Sequence, residues 1–141
     1  MARKLIRRNI DDVPCSLHDD IIVDMRLEGN SLRLMFENGF YIIDEDIPHA
    51  AGFVQIDGLD FDFCSVCIFR EYGKKRKFIG KSYELKEFID RFDGISLEVV
   101  GETFGYNSTK LTGCIIDKKG RTRKSFILDL YHEGDMSYII E

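Results

Sequence analysis

Apolar and polar residues alternate along most of this chain, and the alternation is cleanest between residues 21 and 44. Ile21, Val23, Met25 and Leu27 are interleaved with Ile22, Asp24, Arg26 and Glu28. A period of two marks a half-buried strand. Gly29-Asn30 follows with glycine first, which suits a type II′ hairpin. That turn sets Leu27 opposite Leu32, Met25 opposite Leu34 and Val23 opposite Phe36. Asn38-Gly39 suits a type I′ turn and sets Phe36 opposite Tyr41 and Leu34 opposite Ile43. Both turns yield one apolar face, so a slip of one residue would expose the whole set. Arg33 then meets Asp44 as a cross-strand pair on the other face. The expectation is a three-stranded antiparallel meander.

Further on, Phe53 to Ile56 has strand character inside a connector punctuated by Pro48 and Gly52. Phe61 to Arg70 reads as a long strand, Tyr72 to Arg76 as a charged turn and Lys77 to Gly80 as a short returning strand. The period changes once. Leu85, Phe88, Ile89 and Phe92 are spaced i, i+3, i+4 and i+7, which predicts a helix near residues 82–92. Ser82 is the cap candidate at its start and Gly94 the one at its end. Then Ile95, Leu97 and Val99 share one phase while Val100, Phe104 and Tyr106 share the other. A bulge or bend at Val100-Gly101 would reconcile the two. Leu111 to Asp117 and Arg121 to Tyr131 flank the turn Lys118-Lys119-Gly120, and Gly134-Asp135 leads into a last strand, Met136 to Ile140.

About nine short strands and one helix result. Hairpins dominate, so the expected architecture is mainly β within the α+β class: an antiparallel β-sandwich or a strongly curved sheet. The 141 residues suit a single domain, 1–141, with residues 1–14 an N-terminal arm or edge strand. No βαβ alternation or glycine-rich phosphate loop is present, which argues against a nucleotide-binding α/β fold. Composition agrees with a packed β-domain. Hydrophobic residues make up 44% and there are 11 Phe and 6 Tyr against two Pro. No apolar stretch is long enough for a membrane span, and the basic start, Met1 to Arg8, is followed by no apolar signal core, so a cytoplasmic protein is expected.

Formal net charge is −5, which disfavours duplex nucleic acid as a partner. Two basic runs, 74–77 and 118–124, sit on expected hairpin tips, and Tyr72 and Phe78 could add base stacking. A nucleic-acid-binding module using those tips is therefore the alternative function. Charged tips also serve simply to block strand-to-strand aggregation.

Cys64-Ser65-Val66-Cys67 has the spacing of a metal or redox pair, but it lies inside an apparent strand. Residues three apart on a strand face opposite ways, so the thiols would not converge and structural cysteines are expected. Asp57, Asp60 and Asp62 lack the regular oxygen spacing of a calcium loop. No metal or cofactor is expected. No nucleophile elbow or cysteine-protease signature is present. A hydrolase or small-ligand binder whose residues converge only in three dimensions is a second alternative.

Two clusters remain. Asp44, Glu45, Asp46 and His49 form an acidic connector with one imidazole, suited to receiving a basic partner. Leu17-His18-Asp19-Asp20 stands at the entrance to the meander. An aspartate there can accept backbone N–H bonds in a turn, His18 can donate to a carbonyl or carboxylate, and Leu17 can anchor the turn in the core. This favours a structural lock over proton transfer.

Leu17-His18-Asp19 followed by Ile21, then "LEGNSLRLMFENG" from Leu27 to Gly39, resembles a loose group of small bacterial β-rich domains. These open with an "LHD…I…L…L.L.F..G" pattern. Some are uncharacterised, and some are assigned as immunity proteins of polymorphic toxin systems. The resemblance covers residues 16–43. It implies a small cytoplasmic β-domain that binds protein, and it carries over no catalytic residue. The leading expectation is a non-enzymatic protein-binding module, in the manner of an immunity-type inhibitor, with another protein as its partner.

Overall fold

The alternating segments do become strands, and their pairing brings them into one sheet. A computed structural model describes residues 3–7, 12–45, 49–72, 77–122 and 124–141, without the side chains of residues 71, 72, 77 and 78. The strands are β1 (Arg3–Ile6), β2 (Cys15–Ser16), β3 (Ile21–Glu28), β4 (Ser31–Phe36), β5 (Tyr41–Ile42) and β6 (Gly52–Ile56), then β7 (Ser65–Tyr72) and β8 (Lys77–Glu84). After the helix α1 (Leu85–Arg91) come β9 (Ser96–Gly105), β10 (Ser108–Ile116), β11 (Lys124–Tyr131) and β12 (Met136–Ile140). Ten of them form one antiparallel sheet in the order β1-β12-β6-β4-β3-β9-β10-β11-β7-β8, while β2 and β5 pair separately.

The large sheet is strongly curled but open, with β1 and β8 as its edges. In a flat sheet β1 and β10 would lie roughly 29 Å apart, six strand spacings. Yet Arg7, directly after β1, reaches Thr109 of β10 at 3.4 Å. Curling brings the inner faces of distant strands onto one core. Leu34, Val54, Val66, Val99, Leu128 and Tyr138 are all fully buried there. Leu85 and Phe88 of α1 join the same cluster.

Three sequence expectations change. First, Gly29 has φ +63 and the hairpin β3–β4 forms with Leu27 opposite Leu32 and Met25 opposite Leu34. But Val23 is the extra residue of a bulge, so Ile22, not Val23, faces Phe36. Ile22 is buried and Val23 exposed. The bulge lets β3 turn from β4 to pair Ile21 and Ile22 with β9.

Second, Asn38-Gly39 does not make a hairpin. The neighbour of β4 is β6, with Leu32 opposite Ile56 and Leu34 opposite Val54. At Gly39, φ is +74 and a Cβ would collide with the Ala50 carbonyl oxygen. Phe40 then bridges Ala50, enters the core and meets Phe36 and Tyr138 edge-on. The chain therefore crosses to β2 instead of returning along β4. Arg33 consequently bonds Gln55 and packs on Phe53, far in role from the expected partner Asp44.

Third, the helix is shorter than 82–92. Residues 82–84 continue β8, the cap position is Glu84 and makes no side-chain capping bond. The pairing of Ser82 with Cys67 and Glu84 with Ser65 holds them in the ladder. Similarly, Phe61–Phe63 is a 3₁₀ turn capped by Asp60, and strand begins only at Ser65. Among the described residues no helix is long and apolar enough to cross a membrane.

Candidate functional site

The 17–20 turn docks on an irregularity in β9. Opposite Thr112 and Gly113 of β10, β9 carries Val100 as an extra residue between Val99 and Gly101. A bulge frees backbone groups from the ladder, and the turn takes them. Asp19 N–H donates to Val99 O at 2.7 Å, Val99 N–H donates to Asp20 O at 2.9 Å, and His18 Nδ1 bonds Val100 O at 2.8 Å. Asp19 adopts φ 67, in the left-handed region that aspartate tolerates better than most residues. Leu17 is fully buried, and its N–H donates to Glu102 Oε1 at 3.2 Å.

A carbonyl can only accept, so His18 carries a proton on Nδ1. Its Nε2 faces Asp19 Oδ2 at 3.4 Å. Asp20 points the other way. It is 7% exposed, and Oδ1 takes a 3.0 Å hydrogen bond from His49 Nε2. Burial pushes the Asp20 carboxyl above its ordinary range, and the His49 bond opposes that shift. Thus two segments singled out separately in the sequence, the 17–20 turn and the 44–49 connector, meet through one pair.

Around this bridge Tyr41 lies edge-on to the His49 ring at 6.4 Å, and Tyr41, Ile43 and Val100 are exposed large apolar side chains. Asp44 is an exposed turn residue, and Glu45 pairs with Arg3 of β1 at 2.6 Å. Asp46 lies outside the described residues.

Beneath the turn runs a buried polar chain that sequence reading missed. His132 Nδ1 bonds Gly134 O at 3.0 Å, so the proton sits on Nδ1. Nε2 is then an acceptor for the Thr109 hydroxyl, 2.8 Å away. Thr109 Oγ1 in turn accepts from Arg7 Nη2, and the Arg7 guanidinium lies 4.6 Å above the Phe104 ring. Burial lowers the His132 pKa, which keeps the imidazole neutral in this arrangement. Glu102, on the inner face beside Leu111, accepts the Leu17 N–H of the turn, and burial raises its carboxyl. The alternation held a signal for two of these residues. Thr109 is two before buried Leu111, and His132 is two after buried Leu130. Glu102 faces inward only because of the bulge.

The thiols suit packing better than nucleophilic attack. All four cysteines are free, and burial pushes the Cys15 thiol up to about 12. Cys64 is buried before β7 and Cys67 lies within it. Asp57 accepts from Ser31 and Gln55, and Asp60 caps the 3₁₀ turn. Among the described residues no group of three or more His, Cys, Asp or Glu could hold a metal.

The described part of the second basic run, residues 118–122 and Lys124, lies at the β10–β11 hairpin tip. Pairing of β7 with β11 sets Phe69 opposite Ser125, so Arg70 and Lys124 both reach one cavity. Lys74, Lys75, Arg76 and Arg123 lie outside the described residues, as do the side chains of Tyr72 and Phe78. Comparison with family models, curated proteins and solved structures found no match to this chain.

Proposed function

We propose that this protein acts by binding another protein, through the surface where the 17–20 turn meets the 40–49 connector. The carrying observation is the Asp20–His49 bridge, which joins the two segments into one surface with Tyr41 and Ile43 exposed. Aromatic residues are enriched at protein interfaces and supply much area at low entropic cost. Asp19 and Asp44 add negative charge around them, so the partner is basic and its encounter is steered by charge. The likeness of residues 16–43 to LHD-opening bacterial domains supports an immunity-type inhibitor, acting in the cytoplasm on a toxin, as the particular form of this role.

The test is to isolate the partner on the intact protein and then measure its association with Tyr41→Ala and with Asp44→Lys/Asp46→Lys. Tyr41→Ala should speed dissociation. The charge reversal should slow association most at low salt. Unchanged rates in both variants, with the fold intact, would remove this surface from the interface.

A further inference from the structure

At the basic end of the sheet a cavity of about 300 Å³ opens between the end of α1 and the β7–β11 pair. That is at the small end of the range for ligand pockets. Its floor is apolar: Ile68, Phe92, Ile95 and Ile115. Among the described residues its rim carries the cations Arg70, Arg121 and Lys124 and one carboxylate, Asp117. That carboxylate is turned back into its own loop. Oδ1 accepts the Lys119 and Arg121 backbone N–H groups, each at 2.9 Å, and Oδ2 accepts Arg121 Nε at 2.9 Å.

The surroundings continue the same sign. Arg91, Lys118 and Lys119 follow along the Phe92–Ile95 side, accompanied by Asp93, and Lys81 lies on the Arg70–Lys124 side. Among the described residues lining these cavities seven are cationic and two acidic, with Arg91 also paired to Glu87 at 3.4 Å and Arg121 to Asp117 at 2.9 Å, in a chain whose net charge is −5. The separation of charge cannot follow from overall composition, and a cationic rim above an aliphatic floor is complementary to one ligand shape.

We propose that this cavity binds a small amphipathic anion, with its apolar body on Ile68, Ile95 and Ile115 and its acidic head at Lys124. Base stacking of a nucleic acid is less well served. Among the described residues the one aromatic ring lining the cavity, Phe92, is stacked on Phe88 at 5.1 Å and met edge-on by Tyr83 at 5.1 Å. Aliphatic side chains cover the rest of the floor, which fits an alkyl body better than a planar base.

The probe is decanoate, titrated below its micelle concentration onto the full chain and followed by methyl chemical shifts and calorimetry. One site is expected, with the largest shifts at Ile68, Ile95 and Ile115. Decanol, which lacks the charge, and acetate, which lacks the tail, should each bind at least tenfold more weakly. Lys124→Glu should weaken decanoate about tenfold while leaving the melting temperature in place. A second variant, Ile95→Asp, should abolish the shifts at Ile115 with the remaining spectrum unchanged. Equal affinity for decanol would overturn the anionic head, and shifts centred elsewhere would overturn the cavity. Binding to phosphatidylglycerol vesicles without uptake of free decanoate would assign the charge to a membrane surface instead. Salt-sensitive binding of a single-stranded oligonucleotide that decanoate fails to displace would assign it to nucleic acid.

Discussion

Asp20 and Asp117 are both aspartates at tight turns, and their surroundings push them in opposite directions. Burial raises the Asp20 carboxyl above its ordinary range. Asp117 is held below it, first by the backbone N–H of Arg121 and then by the Arg121 side chain and the Lys119 N–H. The difference follows from what each turn joins. Asp20 sits where the 17–20 turn is pressed between β9 and the connector, so its charge is removed from water and met by His49. Asp117 organises only its own exposed hairpin tip. One end of the molecule uses ionisable groups to hold distant segments together. The other keeps its charges at the surface, where they can meet a ligand.

Breaking the first end should therefore cost stability. Leu17→Ala removes the fully buried anchor of the turn and should lower unfolding free energy by about 2–5 kcal/mol in urea denaturation. A loss under about 1 kcal/mol would mean that the turn rests on the sheet without locking to it.

The buried imidazole of His132 should give the next largest effect. Its pKa is lowered in the folded protein, so the unfolded chain takes up a proton that the folded one refuses. Stability is then complete above the unfolded value and falls as pH drops from about 6.5 toward the folded pKa. The slope should reach at most about 1.4 kcal/mol per pH unit, and His132→Gln should flatten it. An unchanged slope in that variant would place the titration elsewhere.

His49→Ala should cost about 1–2 kcal/mol at pH 7 by leaving the Asp20 carboxylate buried without its donor. The sign with pH is opposite to that of His132. A carboxyl raised by burial is more stable folded when protonated, so stability is regained as pH falls through the folded Asp20 pKa toward the unfolded value. The gap between wild type and His49→Ala should accordingly narrow on acidification. A gap that widened would contradict the role given to the Asp20–His49 bond.

Asp117→Ala should have the smallest consequence. It releases the N–H groups of Lys119 and Arg121, so their amide exchange should quicken while exchange in the β10–β11 ladder is unchanged. Loss of protection in the whole ladder would show that the tip, too, holds the sheet together.

Much of this was legible in residue order. The β3–β4 pairing near Gly29-Asn30 followed from alternation and turn chemistry, and the phase change at Val100-Gly101 marked the bulge on which the 17–20 turn docks. The Asn38-Gly39 turn was misleading because its local grammar is that of a hairpin. What diverts the chain is a long-range fit, Phe40 entering the core beside Tyr138. Ser82 as a helix cap failed similarly, since the ladder with β7 extends β8 to Glu84. Asp19, Asp20 and His49 could each be named from sequence. Nothing in their spacing said that Asp20 and His49 would meet.

Taken alone, the sequence determined the mainly antiparallel β character, one helix near residue 88 and the acidic and basic runs. These depend on periodicity and on side-chain chemistry, both local properties. Only the tertiary structure decided the strand order, the inward turn of Glu102 and Arg7, the Asp20–His49 bridge and the cavity under the basic rim. Each depends on which inner faces meet when a ten-stranded sheet curls. That curl is set by twist, bulges and burial acting along the whole chain at once.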